Sequence, residues 1–267
     1  MTEQNQQTQP ELERLVAPGV KKMNPIERII NLFVAPTELM QNIKLYPVIL
    51  VPIIISIILA LAAVPFAAQY SEMMLQELSI ISLELHGVDL SGWTQMQEAG
   101  IYGDEAAGGM GAFAVVSQVI GAVIMPFIYG LIAAVLFLIL VKIFRGSAKF
   151  GQLFSMCMHY YVLSALGSLV VVALAVTTGR FIDVTSLAAL FMPDGNISMV
   201  SFNVLQSISI FNIWVHIVIF IGIKVLNDFS AVKAGIITVI SFLLTIAVNV
   251  GIMMSTFLMW DMLMGAM

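Results

Sequence analysis

Five long apolar stretches dominate this sequence and constrain its fold more than any other feature. They cover residues 46–68, 112–144, 152–178, 206–226 and 235–260 approximately. Each is long enough to cross a hydrocarbon core of roughly 30 Å at about 1.5 Å per helical residue. Because backbone polar groups find no water inside a bilayer, an apolar run of this length satisfies them by forming a helix. The sequence therefore predicts an all-α integral membrane protein with five transmembrane helices.

The basic residues fall almost entirely on one side of these stretches. Of the eleven Lys and Arg residues, only Arg180 lies in a segment that the alternation of spans places on the opposite side. Basic residues accumulate in the cytoplasmic loops of membrane proteins, so we expect the N-terminus in the cytoplasm and the C-terminus outside. The basic residues on the cytoplasmic side are Arg14, Lys21, Lys22, Arg28, Lys44, Lys142, Arg145, Lys149, Lys224 and Lys233.

The composition argues against an enzyme. Hydrophobic residues make up 60 % of the 267 residues and charged residues 10 %, which leaves no room for a separate catalytic domain beside five spans. The chain has no phosphate-binding Gly-Lys-Ser/Thr loop, no His-Glu-x-x-His zinc motif and no Gly-x-Ser-x-Gly nucleophile motif. No charged residue lies at the centre of a span, whereas proton relays and ion paths usually contain one. We therefore expect no catalytic residue, no metal and no cofactor.

The chain before the first span divides into two parts. Residues 1–23 are rich in Gln and Glu and are predicted to form a disordered cytoplasmic tail. Residues 24–45 predict two short amphipathic helices, which begin with Asn24 as a cap and Pro25 in the first turn and are separated by Pro36. Such helices are too polar to span, so we expect them either in the interfacial plane or packed beneath the bundle.

Two segments leave alternatives open. Residues 69–109 are predicted to form an outer loop with seven acidic residues and no Lys or Arg, although residues 71–85 have enough helical propensity to prolong the first span. The run 112–144 is too short for two spans, so it is either one helix kinked at Pro126 or a helix joined to an interfacial segment. The single helix is the more economical interpretation because it keeps the basic residues on one side.

A small set of polar side chains lies inside the predicted spans. Their ordinary role is hydrogen bonding between helices. The functional alternative is a polar track through a small permease or channel, in which case these side chains are expected to converge on one cavity. Two His residues without a nearby carboxylate or thiolate make a poor metal site. The members of this track are Gln118, His159, Asn212, His216 and Asn249.

Three segments occur in an order that is similar to a known family. They are residues 25–33 (Pro-Ile-Glu-Arg-Ile-Ile-Asn-Leu-Phe), residues 146–154 (Gly-Ser-Ala-Lys-Phe-Gly-Gln-Leu-Phe) followed by Tyr160-Tyr161, and residues 210–214 (Ile-Phe-Asn-Ile-Trp) followed by Gly222, Ser230 and Lys233-Ala234. Together they resemble the Yip domain family, whose eukaryotic members are named for interaction with Ypt/Rab GTPases. The resemblance implies a five-helix membrane domain without a catalytic role, and the short N-terminal tail looks like that of a bacterial member. The positions that match the family pattern are Phe150, Gln152, Trp214, Ser230 and Lys233.

These observations predict a non-enzymatic accessory or scaffold subunit of the bacterial cytoplasmic membrane. Its expected partners are membrane lipids and a protein, for example an exporter complex, and not nucleic acid. Small residues within the spans also allow a homo-oligomer. The expected docking face is the cytoplasmic surface formed by residues 24–45, 145–151 and 227–234. The alternative function is the small permease or channel that uses the polar track.

Overall fold

The computed structural model describes residues 21–85, 104–179, 183–190 and 199–265. Most of the predicted tail (residues 1–20) and the middle of the predicted acidic loop (residues 86–103) lie outside the described residues. The described chain is helical apart from short connections and one isolated bridge. Its helices are α1 (Pro25–Val34), α2 (Pro36–Leu45), α3 (Leu50–Leu85), α4 (Asp104–Ile143), α5 (Phe150–Thr178), a 3₁₀ helix (Leu187–Leu190), α6 (Met199–Gln206), α7 (Ile210–Asn227) and α8 (Ala231–Gly265).

Five of these helices, α3, α4, α5, α7 and α8, are long and apolar enough to cross a membrane. For the described residues, this confirms the prediction of an all-helical protein with five long apolar helices. The side of the membrane on which each end lies stays a prediction. The candidate spans are Leu50–Ala67, Val115–Ile143, Phe150–Thr178, Ile210–Asn227 and Ala231–Ile252.

Three of the spanning helices are much longer than a bilayer requires. α3, α4 and α8 contain 36, 40 and 35 residues. At about 1.5 Å per residue each exceeds 50 Å, against a hydrocarbon core of roughly 30 Å. The segment predicted as a loop over 69–109 is helical at both ends, up to Leu85 and again from Asp104. The run 112–144 lies in one helix with Pro126 inside it.

The bundle is built around α5, which packs against α3, α4 and α7. α7 in turn packs against α2 and α8. Small residues permit these approaches: a Cβ at Gly222 of α7 would collide with the sulfur atom of Met156 and would lie 3.2 Å from that of Met40. The result is a buried core that joins α2 to the membrane-spanning helices.

The first two helices differ in how much of their apolar surface is buried. α1 begins with a capping box, in which Asn24 and Glu27 exchange side-chain and backbone hydrogen bonds of 2.8 Å. α2 packs beneath the bundle, and its Leu39, Met40 and Ile43 are fully buried. α1 instead leaves a row of large apolar side chains exposed, which includes Ile26, Ile30, Phe33 and Val34.

The last two spans, α7 and α8, each begin directly after a serine that caps the helix. The predicted span 206–226 is interrupted, and α7 begins at Ile210, because the backbone N–H of Asn212 donates to the Ser209 hydroxyl over 3.2 Å. Ser209 also forms an antiparallel bridge with Ser186, which holds the break in place. α8 begins at Ala231, earlier than the predicted 235, and the Ser230 hydroxyl accepts from the N–H of Lys233.

Candidate functional site

One end of the bundle carries a composite surface, which we call the platform. It is formed by residues 24–45, 145–151 and 227–234, and it is organised around the packing of α2 against α7 and α5. Several of its basic side chains are exposed, and within the described residues the ion pair found is Lys44–Asp228. That pair has an N–O distance of 2.6 Å but is largely exposed, so it contributes little to stability. The exposed basic residues are Arg145, Lys149 and Lys233.

Hydrogen bonds fix the parts of the platform to one another. Nε2 of Gln152 donates to the carbonyl of Lys44 over 2.7 Å, which joins the start of α5 to the end of α2. The N–H of Ala148 donates to Oδ1 of Asn227 over 2.9 Å, which joins the α4–α5 connection to the end of α7. Asn227 is itself buried. The exposed side chains of the platform therefore project from a backbone that hydrogen bonds hold in place.

Arg28 is a buried cation on the inner side of the platform, with only 2 % of its surface exposed. Its Nη2 donates to Oδ1 of Asn42 over 2.6 Å and to the carbonyl of Tyr46 over 2.9 Å, while Nη1 has no hydrogen-bond partner among the described residues. Burial lowers the pKa of Arg28, but a guanidinium stays protonated in proteins. Arg28 therefore connects α1 to α2 and to the α2–α3 connection. It does so through an amide oxygen and a carbonyl oxygen, which are both uncharged.

Two of the family-pattern positions have local roles at the start of α5. Phe150 is 37 % exposed and stacks on Phe154 with ring centroids 5.6 Å apart. Gln152 makes two connections, because its Oε1 accepts from the N–H of Lys149 and its Nε2 donates to the carbonyl of Lys44 at the end of α2. These contacts position the helix and leave part of the Phe150 ring accessible.

The other three pattern positions lie on α7 and at the start of α8. Ser230 is exposed and caps α8. The Lys233 ammonium lies 5.5 Å from the centroid of the Phe229 ring, within the range of a cation–π contact. Trp214 is partly buried against the core, and its Nε1 has no hydrogen-bond partner among the described residues. The structure therefore places four of the five pattern positions at or beside the platform and Trp214 inside the bundle.

A cavity of about 410 Å³, which we call the cleft, lies between α4, α5, α7 and α8. It brings together Asn212, His216 and Asn249 of the predicted polar track. Nδ1 of His216 lies 2.8 Å from the carbonyl of Asn212, and the His216 ring packs edge-on against Phe242 with centroids 4.8 Å apart. Asn249 donates to the Ser207 hydroxyl over 3.3 Å, which connects α8 to the turn before α7.

The remaining two members of the polar track lie elsewhere. Gln118 lines a second cavity of about 410 Å³ between α3, α4 and α5. His159 is fully buried, its Nδ1 lies 2.7 Å from the Ser155 carbonyl, and it is not among the residues that line either cavity. The five polar side chains thus do not share one cavity.

Two residues with structural importance were not singled out from the sequence. Asn42 is fully buried and accepts from Arg28, and it also donates to the carbonyl of Lys21 over 2.8 Å. Ser155 is buried in α5, and its hydroxyl exchanges hydrogen bonds of 2.7 and 3.1 Å with the backbone of Val48. A polar residue inside an apolar run was the available signal for Ser155. Nothing local distinguishes Asn42 from an exposed residue.

Five apolar spanning helices with a hydrogen-bonded surface at one end define a multi-pass α-helical membrane protein. In the part of the chain that the structure describes, no group of three or more His, Cys, Asp or Glu side chains could hold a metal ion. The Yip1 domain matches the chain over residues 30–253, so the chain belongs to the Yip1 domain family. Proteins of this family are generally non-enzymatic membrane trafficking proteins. Neither the curated proteins nor the solved structures contain a match to the chain.

Proposed function

We propose that this Yip1-domain protein is a non-enzymatic accessory or scaffold subunit of a bacterial cytoplasmic membrane and that a protein partner docks on its platform. The observation that supports this most is the hydrogen-bonded bracing of the platform beneath exposed Arg145, Lys149 and Lys233. A braced surface loses little conformational entropy when a partner binds. Basic side chains at its rim suit an acidic partner surface, because complementary charge speeds encounter and fixes register.

The exposed apolar row of α1 supports a second contact, with lipid. Ile26, Ile30 and Val34 are 72 %, 54 % and 73 % exposed, and they follow the exposed Lys21 and Lys22. A helix of this kind lies in the interface with its apolar face toward the acyl chains. Each basic residue near anionic headgroups contributes roughly 1 kcal/mol. In this proposal α1 anchors the platform to the membrane surface and leaves the α5 and α8 ends for the partner.

Co-purification tests the docking proposal. The tagged protein is isolated in mild detergent, and its partners are identified and quantified by mass spectrometry. We expect a partner in stoichiometric amount that carries an acidic cytoplasmic segment. Replacing Lys149, Phe150 and Lys233 together by Ala is expected to remove it, because this removes two exposed charges and one exposed ring from the docking face.

The matched control is a triple Ala variant at Lys21, Lys22 and Ile26, which removes two exposed charges and one exposed apolar side chain from the α1 edge. We expect this control to retain the partner. A wild-type protein recovered without any stoichiometric partner contradicts the accessory function, and a partner that survives the Lys149/Phe150/Lys233 substitution contradicts the docking face.

The permease or channel is the second candidate function. Its support is that Asn212, His216 and Asn249 line one cavity between four spanning helices. It is the weaker proposal because Gln118 and His159 of the same predicted track do not line that cavity. Recovery of the protein alone in the co-purification experiment would make this the leading function.

A further inference from the structure

The cleft opens sideways between α4 and α8. α4 packs on α3 and α5, whereas α8 packs on α7, α6 and α3, so the two helices face each other across the cleft. Their lining side chains are partly exposed, for example Ile132 at 52 % on α4 and Val248 at 57 % on α8. In a membrane these side chains would meet acyl chains. A ligand of the cleft would therefore enter from the lipid and not from water.

The cleft is elongated along the helices. Its lining runs from Tyr129 to Leu140 on α4 and from Ser241 to Ile252 on α8. Each stretch is roughly 16 Å long at 1.5 Å per residue. The volume of about 410 Å³ falls in the range of small-molecule sites. This shape suits an extended hydrocarbon chain better than a compact polar solute.

Three of the polar side chains that line the cleft already donate to the protein. The Thr245 hydroxyl donates its proton to the Ser241 carbonyl over 3.0 Å, and the Ser241 hydroxyl donates to the Thr238 carbonyl over 2.8 Å. The side-chain amide of Asn249 donates to Ser207. The two hydroxyl protons are therefore directed at the protein, which leaves the lone pairs of the Ser241 and Thr245 oxygens available as acceptors.

His216 adds the acceptor that lacks a partner. Because the Asn212 carbonyl can only accept, the proton of the neutral imidazole lies on Nδ1, and Nε2 carries a lone pair. Nε2 is buried and has no partner among the described residues, and His216 is 8 % exposed. His216 lies about eleven residues from the Asn227 end of α7, or roughly 16 Å, which is near the middle of a core of roughly 30 Å.

The charge of the lining restricts the ligand further. Among the described residues that line the cleft, none is Asp, Glu, Lys or Arg. A carboxylate or phosphate drawn to this depth would lose its hydration without a counter-charge, which is strongly unfavourable. A hydroxyl is uncharged and can donate a hydrogen bond to an acceptor such as Nε2 of His216.

We propose that the cleft binds a neutral lipid through a hydroxyl group that donates to Nε2 of His216, with its hydrocarbon chain held between α4 and α8. Diacylglycerols and long-chain alcohols have this chemistry, whereas fatty-acid anions and phospholipid headgroups do not. The site lies within the membrane and is distinct from the platform, so it does not depend on the proposed partner.

Photo-crosslinking of the full-length protein in nanodiscs tests this site. The probe is a saturated long-chain alcohol with a diazirine in the chain, compared with its methyl ether and with the carboxylate of equal length. We expect the alcohol to label lining residues such as Leu136 and Val248, as mapped by peptide mass spectrometry. The ether lacks the donor, so its labelling is expected to be about three- to tenfold weaker at equal concentration.

Three variants assign the binding to the cleft. His216→Phe keeps an aromatic ring against Phe242 but removes Nε2, so the alcohol and the ether are expected to label it equally. Thr245→Phe fills the cleft and is expected to abolish labelling. Val239→Phe adds the same ring on α8 at a position that is 57 % exposed and outside the lining, and it is expected to leave labelling unchanged.

Equal labelling of the wild-type protein by alcohol and ether overturns the role of the hydroxyl. Labelling that Thr245→Phe does not reduce shows ordinary lipid contact and overturns the site. The comparison of probes on the wild-type protein requires no variant to fold, so the proposal is tested even where a substitution prevents purification.

Discussion

At the scale of single residues, the pair formed by Arg28 and Asn42 carries a clear prediction. Asn42 is fully buried and supplies the acceptor oxygen 2.6 Å from Nη2 of Arg28. Asn42→Leu keeps a similar volume but leaves a buried cation short of a hydrogen bond, which costs about 1.5–3 kcal/mol. We expect the Tm in detergent micelles to fall by roughly 3–12 °C, as measured by thermal unfolding.

The control for this prediction is Arg28→Met in the Asn42→Leu background. An apolar pair removes the buried charge together with its lost acceptor, and such replacements are often close to neutral. The double variant is therefore expected to be more stable than Asn42→Leu alone. A single variant with the Tm of the wild type, or a double variant no better than the single, means that the Arg28–Asn42 hydrogen bond does not stabilise the fold.

The contrast between Arg28 and Asn24 shows what the sequence can reveal at this scale. The capping box of α1 joins residues three apart, so it depends only on the local spacing of Asn24 and Glu27. The partner of Arg28 lies fourteen residues away on the next helix. Their contact depends on the angle between α1 and α2, which no local pattern encodes. In the sequence Arg28 was only one of ten basic residues that set the topology.

At the scale of helices, the approach of α5 to α7 depends on Gly167. A Cβ at this position would lie 2.8 Å from the Cβ of Phe211, which is too close to the backbone to move aside. We expect Gly167→Ala to push the helices apart and to lower the free energy of unfolding by about 1–3 kcal/mol. Thermal unfolding in the same detergent would measure this as a lower Tm.

Gly121 of α4 provides the matched control, because a Cβ there meets nothing within 4 Å. Gly121→Ala makes the same chemical change without a collision, so no loss of stability is expected. Equal destabilisation by both substitutions would assign the effect to something other than the α5–α7 contact.

Hydropathy and caps together account for the number of spanning helices, but not for how they are interrupted and arranged. The break between α6 and α7 arises from the Ser186–Ser209 bridge, which pairs residues from two separate segments. Asn212 and His216 lie four apart, so their shared face was visible in the sequence. Asn249 joins them at the cleft only because α8 packs against α7. Gly121 and Gly167 looked alike in sequence, yet only Gly167 lies at a tight contact.

At the scale of the whole molecule, the distribution of basic residues predicts that the platform faces the cytoplasm. α5 offers a direct test, because Ser147 just before its start and Thr178 at its end are both exposed and lie roughly 45 Å apart. The native thiol of Cys157 is fully buried, which makes it a poor target for a maleimide. In intact cells, a membrane-impermeant maleimide is expected to label Thr178→Cys at once and Ser147→Cys only after permeabilisation.

The opposite pattern would invert the topology and place the platform outside, where no cytoplasmic partner could reach it. Labelling of both positions in intact cells would mean that α5 does not cross the membrane.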